Sequence, residues 1–403
     1  MTQPLSPTTI AVVKATAPVL ADHGPAITAA MYRRLFQDEH IRRLFNHANQ
    51  ESGAQVNALA GAILAYARNI ENMAALAPAV ERIAQKHIGY NILPEHYPYV
   101  ATALLDAIKE VLGDAATNHV LAAWGEAYWY LAEILKSREA IIREESRVAA
   151  GGWSGWRAFK VAEKRKESSL ITSFILRPVD GGPVLRHKPG QYLTFRLAAP
   201  GQPAMKRNFS ISCAPNDDRY RISVKREETG HGGSRFLHDQ VAIGDIVEAT
   251  VPAGEFFLDE SPQRPVILLS GGVGLTPMIS MVETIAASHP GLEVHYVHGT
   301  TSSDTHALDR HVRALAREHG RISVATFYDK PSDVDTIGQT HDVTGLITVD
   351  WLKANTPLTQ ADIFLCGPKP FLRALVSGLS SAGVAADRIH YEFFGPADEL
   401  LAA

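Results

Sequence analysis

Two glycine-bearing motifs in this chain have residue types suited to phosphate and nucleotide. The first is Ser270-Gly271-Gly272-Val273-Gly274-Leu275-Thr276-Pro277-Met278, which follows an apolar strand pattern at residues 266–269. Its glycines permit a tight turn and close backbone approach, and Pro277 suits the first turn of a helix. The free N–H groups at that helix start can face a pyrophosphate. The spacing differs from the usual dinucleotide fingerprint. The second motif, Cys366-Gly367-Pro368, lies just past a strand pattern at residues 363–366, and open α/β sheets bind ligands at such strand ends. A plain buried Cys before a turn is the bland alternative. Histidines are harder to weigh: the chain has 17, so a single one such as His87 says little alone.

The elements that must position these residues change character at Gly151-Gly152. Before that pair, apolar residues recur at helical spacing. Ser6-Pro7 starts a helix carrying Ile10, Val13, Ala17 and Leu20, with Gly24 as its expected stop. A second helix carries Ile27, Met31, Tyr32, Leu35 and Phe36. Further helical patterns cover residues 56–64, 76–87, 97–112 and 120–145, with Gly89 and Pro94 as breaks. This predicts an all-α domain of about six or seven helices. A helical regulatory domain has the same periodicity.

After the glycine pair, strands are expected at 170–176, 220–224 and 245–251, with turns such as Asp180-Gly181-Gly182 between them. Short strands of this kind suggest an antiparallel barrel. From residue 266, strands at 292–298, 322–328 and 363–366 alternate with helices ending near 287 and spanning 308–319 and 371–382. That order implies a parallel sheet covered on both faces. The expected domains are 1–149, 150–262 and 263–403.

Composition narrows the function classes. The chain has 403 residues, 46% hydrophobic and 20% charged, with a net charge of -4. Nothing in that charge favours nucleic acid or an acidic membrane. Two Cys, Cys213 and Cys366, exclude a four-Cys iron–sulfur or zinc site within the chain. No signal peptide and no membrane-spanning apolar run is read, so the cytoplasm is the expected location.

The order and spacing of Lys14-Ala15-Thr16-Ala17-Pro18, Tyr32, Phe45-Asn46, Gln55, Leu59, Lys86-His87 and Pro94-Glu95-His96-Tyr97 resemble the globin domain of flavohaemoglobins, and the resemblance continues through the whole chain. It implies haem b held by His87, with Tyr97 and Glu139 as partners of that imidazole. A carboxylate on the far ring nitrogen increases the ligand's basicity. It also places Tyr32, Gln55 and Leu59 in the pocket above the iron, Phe45 on the haem face and Lys86 at the domain junction. The phenol and amide can donate to a small ligand carrying negative charge. One departure is visible: the segment Gln37-Asp38-Glu39-His40-Ile41 is a residue short of the family pattern and lacks a common Pro.

The same resemblance extends to the reductase half. Pro189-Gly190-Gln191-Tyr192 followed by Arg207-Asn208-Phe209-Ser210 resembles the FAD barrel of the ferredoxin-reductase superfamily. Arg207 offers pyrophosphate a charge and forked donors, and Ser210 can donate to the flavin ring. Phe209 stands where the family usually has Tyr, so an aromatic face is kept and a hydroxyl lost. Lys225-Arg226-Glu227 and Gly232-Gly233-Ser234 resemble the second phosphate-contacting stretch, with Arg235 replacing a more usual Asn; a solvated strand edge explains Lys225 and Arg226 equally well. Glu392, Phe393 and Phe394 match the C-terminal segment beside the flavin, where Phe394 covers the ring. The loop Gly299-Thr300-Thr301-Ser302-Ser303-Asp304 holds an acid and no base, which favours NADH over NADPH.

The resemblance therefore implies a monomeric nitric oxide dioxygenase that passes electrons from NAD(P)H to FAD to haem, using O2 and nitric oxide, with no obligate protein partner. Two other classes fit the residues: a flavin reductase with a helical regulatory domain, and an oxygen or nitric oxide sensor with ancillary reductase activity.

Overall fold

The computed structural model of the chain describes residues 4–44, 54–198, 204–228 and 232–394. These form two compact units, a helical one built on residues up to Val148 and a strand-rich one built on residues from Ala149.

The helical unit begins with α1 (Pro7–Leu35), where Ser6 Oγ accepts from the Thr9 backbone N–H at 3.0 Å and Pro7 takes the first turn. The expected stop at Gly24 is not there: the two helices read from sequence are one. A terminating glycine supplies a left-handed residue, and Gly24 is not among the glycines with positive φ. Its lack of a side chain serves packing instead. A Cβ on Gly24 would lie 3.3 Å from the Ala60 Cβ of α3 (Ala54–Arg68), and Thr28 Oγ1 donates to the Val56 carbonyl of α3 at 3.0 Å. Before α3 comes the short α2 (Glu39–Arg42), capped by Asp38. Then follow α4 (Ala77–Gly89), α5 (Tyr97–Leu112) and α6 (Asn118–Val148). Their apolar faces close on a core that includes Val13, Ile27, Met31, Leu104, Ile108 and Trp124.

In the strand-rich unit, β1 (Arg157–Lys166), β2 (Ile171–Pro178), β3 (Tyr192–Leu197), β4 (Met205–Ser210), β5 (Tyr220–Lys225) and β6 (Ile246–Ala249) form one sheet in the order β4-β3-β6-β1-β2-β5. Its edges meet: Ile211 bridges Ile222, and the Ser212 N–H donates to the Arg221 carbonyl at 2.7 Å. The sheet thereby curls into the expected barrel, with Phe159, Phe174, Leu193 and Phe195 fully buried. The short α7 (Gly233–Asp239) follows β5. Gly151, just past the end of α6, has φ +74, and a Cβ there would strike the Val184 backbone at 2.4 Å, so only glycine fits.

The second sheet comprises β7 (Val266–Gly271), β8 (Val294–Thr300), β9 (Ile322–Tyr328), β10 (Val343–Thr344), β11 (Asp362–Cys366) and β12 (Ile389–Glu392), in the order β10-β9-β8-β7-β11-β12, all pairs parallel. The helices are α8 (Leu275–Ser288), α9 (Asp309–Glu318), α10 (Val349–Asn355) and α11 (Lys369–Ser381). The chain builds outward from β7 through β8, β9 and β10, then returns to the other side of β7 with β11. That reversal leaves a crevice at the carboxyl ends of β7 and β11, where such folds bind ligands. Among the described residues, no helix is long and apolar enough to cross a membrane.

Candidate functional site

In the helical unit, His87 lies in the last turn of α4. Its Nδ1 is 2.7 Å from Glu139 Oε1 on α6 and 3.1 Å from the Tyr97 hydroxyl at the start of α5. Tyr97 donates to the same Glu139 oxygen at 2.5 Å. Three helices thus bring together three residues far apart in sequence. Glu139 is 2% exposed, and burying a carboxylate requires such donors. Burial, and then the bond to Glu139, push the Tyr97 hydroxyl well above the usual phenol range, so it remains a donor. With Nδ1–H directed at a carboxylate, the tautomer leaves a lone pair on Nε2. That nitrogen has no protein partner among the described residues. The donor set suits a haem iron: one neutral imidazole nitrogen, backed by a buried anion.

Tyr32 and Leu59 fall in a neighbouring cluster. Tyr32 is 8% exposed and stacks on Phe36 with ring centroids 5.4 Å apart, and Leu59 packs against the same core. Tyr128 and Leu131 border both this cluster and the one holding Tyr97. Tyr128 also donates to the Tyr97 carbonyl at 2.7 Å, a brace that the sequence reading missed. Lys86 is exposed. Phe45 and the side chain of Gln55 lie outside the described residues.

In the barrel, strand alternation places Arg207 and Phe209 on one face of β4 and Asn208 and Ser210 on the other. The Arg207 side chain lies across the start of α7: a Cβ on Gly233 would come within 2.5 Å of Arg207 Cγ. A guanidinium beside free helix N–H groups is suited to an anion such as pyrophosphate. Ser234 accepts from the Glu227 N–H at 3.3 Å. Phe209 packs against buried Phe195, with the rings tilted at 57° and centroids 5.7 Å apart. Lys225 pairs with Glu227, and Arg226 with Glu228 and with Asp239 at the end of α7. Gln191 ties the region together, accepting from Ile211 through its carbonyl and donating from its side chain to Gly254 O at 3.2 Å. Gly254, at φ +110, lies flat against the Tyr192 ring.

At the crevice of the parallel sheet, the two glycine motifs become one site. Cys366 pairs in register with Ser270. A Cβ on Gly274 would be 2.1 Å from the Cys366 carbonyl oxygen, one on Gly271 3.0 Å from Pro368 Cδ, and one on Gly367 3.1 Å from the Gly271 nitrogen. Gly272 has φ +54 and faces open space. Thr276 Oγ1 donates to the Val273 carbonyl at 3.0 Å, and Leu275 and Pro277 are buried in the first turn of α8. Burial holds the Cys366 thiol protonated, well above its ordinary value. Glu392 of β12 pairs in register with Cys366 of β11; Phe393 is half-buried and Phe394 is 49% exposed. In the loop after β8, the Ser303 N–H donates to Asp335 at 3.4 Å. The same loop has a neighbour that its own sequence does not reveal: Lys330, at the end of β9, donates its N–H to Thr301 O at 3.1 Å.

Comparison with known proteins bears on the family and the fold. Residues 28–135 match the globin family model, and residues 268–377 match the oxidoreductase NAD-binding domain. A protein of Xylella fastidiosa named "Flavohemoprotein" is 58% identical over 403 residues, covering 100% of each chain. The chain belongs to the flavohaemoprotein family. A crystal structure of flavohemoglobin from Malassezia yamatoensis with bound FAD and heme superposes with a TM-score of 0.85 at 27% identity, covering 98% of this chain and 100% of that one. The flavohem-like FAD/NAD binding domain of nitric oxide dioxygenase from Vibrio cholerae gives a TM-score of 0.55 at 36% identity, over 60% of this chain and 99% of that one.

Proposed function

We propose that this flavohaemoprotein is an NAD(P)H-dependent nitric oxide dioxygenase, converting nitric oxide and O2 to nitrate with electrons from a nicotinamide coenzyme. The observation that carries the reading is the 2.7 Å contact between His87 Nδ1 and buried Glu139. When bound, haem supplies the oxygen chemistry and FAD converts the coenzyme's electron pair into single electrons. The chain's own residues do the rest. Glu139 and Tyr97 hold His87 as a strongly donating ligand, which favours oxygen activation over simple storage. Tyr32 and Gln55 serve as donors in the opposite pocket, and Leu59 and Phe45 bound its space. Arg207, Ser234 and the start of α7 hold the flavin's pyrophosphate, while Tyr192, Asn208, Phe209 and Ser210 position its ring with Glu392, Phe393 and Phe394. The loop from Gly271 to Pro277, with Cys366, Gly367 and Pro368, receives the coenzyme.

The proposed coenzyme is NADH, because Asp304 and Asp335 outnumber Lys330 around the loop after β8. The proposed domains are 1–149 for haem, 150–262 for FAD and 263–403 for the coenzyme, in a cytoplasmic monomer. The test is nitric oxide consumption by pure protein supplied with O2 and NADH, with nitrate counted and the absorption spectrum recorded. One nitrate per nitric oxide is expected. A yellow protein that cannot take up haem would leave only a flavin reductase. A haem protein whose iron NADH cannot reduce anaerobically would leave a sensor.

A further inference from the structure

The face of α8 turned to the barrel carries a side-chain cluster that the proposed reaction does not use. Glu283 is 14% exposed by side chain and pairs with Arg221 of β5, also 14% exposed, at 2.6 Å. The same carboxylate accepts from the Ala214 N–H at 2.8 Å and lies 2.7 Å from His311 Nε2 on α9. Hydrogen bonds from all three partners help hold Glu283 below the usual carboxylate range, although its burial acts the other way. One turn earlier on α8, Ser280 donates to the Cys213 carbonyl at 2.7 Å, with buried His187 bonded to both.

The location gives the cluster its meaning. The first turn of α8 is the coenzyme loop, and Glu283 is on the same rigid helix. On the other side, Arg221 grips the chain just after Ser210: its guanidinium donates to the Ser212 carbonyl, and the Ser212 N–H returns a bond to the Arg221 carbonyl at 2.7 Å. Met281 also presses against Gly190 of the Gln191-Tyr192 turn, within 2.7 Å of where a Cβ would stand. This part-buried ion pair thus connects β5, which holds the chain just after the flavin motif of β4, to the helix that carries the coenzyme motif. A hydrophobic core, with Phe256, Leu258, Met278 and Met281, already joins the two sheets. Such a core is non-directional, whereas a buried, multiply bonded ion pair selects one geometry.

We propose that Arg221 and Glu283, with His311, are positioning residues that set the approach of the nicotinamide to the flavin. They control the rate of hydride transfer and leave cofactor loading alone. The proposal rests on the coenzyme-to-flavin reading above. In the step concerned, the reduced nicotinamide gives up a hydride with its electron pair, and the flavin is reduced.

The test uses full-length holoenzyme and the variants Glu283→Gln, Arg221→Gln, their double mutant and His311→Gln. Flavin content and the dissociation constant for NAD+, measured by calorimetry, should stay within about twofold of wild type. Anaerobic flavin reduction by saturating NADH should slow between tenfold and a hundredfold, the scale of a misplacement near 1 Å. The isotope effect with deuterated NADH should increase, and the double mutant should be no slower than the slower single mutant. Wild-type rate and isotope effect in Glu283→Gln would overturn the proposal, as would equal loss of flavin. Should the Glu283 and Arg221 variants not fold, His311→Gln at the exposed end of the cluster decides it by the same measurements. If NADH and NADPH both fail to reduce the wild-type flavin, the coenzyme reading itself is wrong.

Discussion

In the helical unit the candidate site is made by side chains that meet across helices, whereas in the parallel sheet it is made where side chains are missing. His87, Tyr97 and Glu139 converge through hydrogen bonds of 2.5–3.1 Å, with Tyr128 bracing Tyr97 from behind. The candidate coenzyme crevice is lined by Gly271, Gly274 and Gly367, each in a space that a methyl group would have to invade. The first construction would tune a ligand's electronics, and a partner's loss would be graded. The second would open backbone to a polyanionic ligand, and an added atom acts sterically. The two sites should therefore fail in different ways.

Mutation can break that contrast or sharpen it. The largest effect is expected for His87→Ala, which should abolish haem binding or its normal absorption spectrum. NADH-driven dye reduction should survive within about twofold if the two chemistries are separable; equal loss of both would end the comparison. Gly274→Ala should do the reverse, because its Cβ cannot stand 2.1 Å from the Cys366 oxygen. Dye reduction by NADH should fall about a hundredfold with haem content unchanged, and a normal rate would show that the loop tolerates invasion. Glu139→Gln keeps the shape and removes the charge, so haem loss to an acceptor globin should accelerate about tenfold. An unchanged rate would demote Glu139 to packing. Tyr32→Phe should raise the oxygen off-rate about tenfold, the scale of one donor to a charged acceptor; an identical off-rate would remove Tyr32 from the pocket. Least costly should be Gly272→Ala, whose Cβ meets nothing within 4 Å at φ +54. It should lower stability by only about 1–2 kcal/mol and raise the coenzyme KM severalfold, as thermal melts and steady-state kinetics would show.

Periodicity made much of the fold legible. The strand read at 322–328 and the helix read at 97–112 coincide with β9 and α5, because each buries one regular face. The change of period at Gly151-Gly152 falls just beyond the end of α6. α10 (Val349–Asn355) went unread, having only two turns in which to show a period. Gly24 misled because a glycine reads alike whether it ends a helix or lets another pass.

The sequence by itself determined the element types, the order of the two folds, the absence of a four-Cys cluster and, through shared motifs, the family. Tertiary structure alone decided which distant residues meet. Cys366 touches Gly274 because β7 and β11 are neighbours although β8, β9 and β10 lie between them in the chain. Lys330 reaches the loop after β8 because β9 ends beside it, and Arg221 finds Glu283 because the barrel closes where α8 packs. Local sequence records which face of an element is buried; it does not record what that face is buried against.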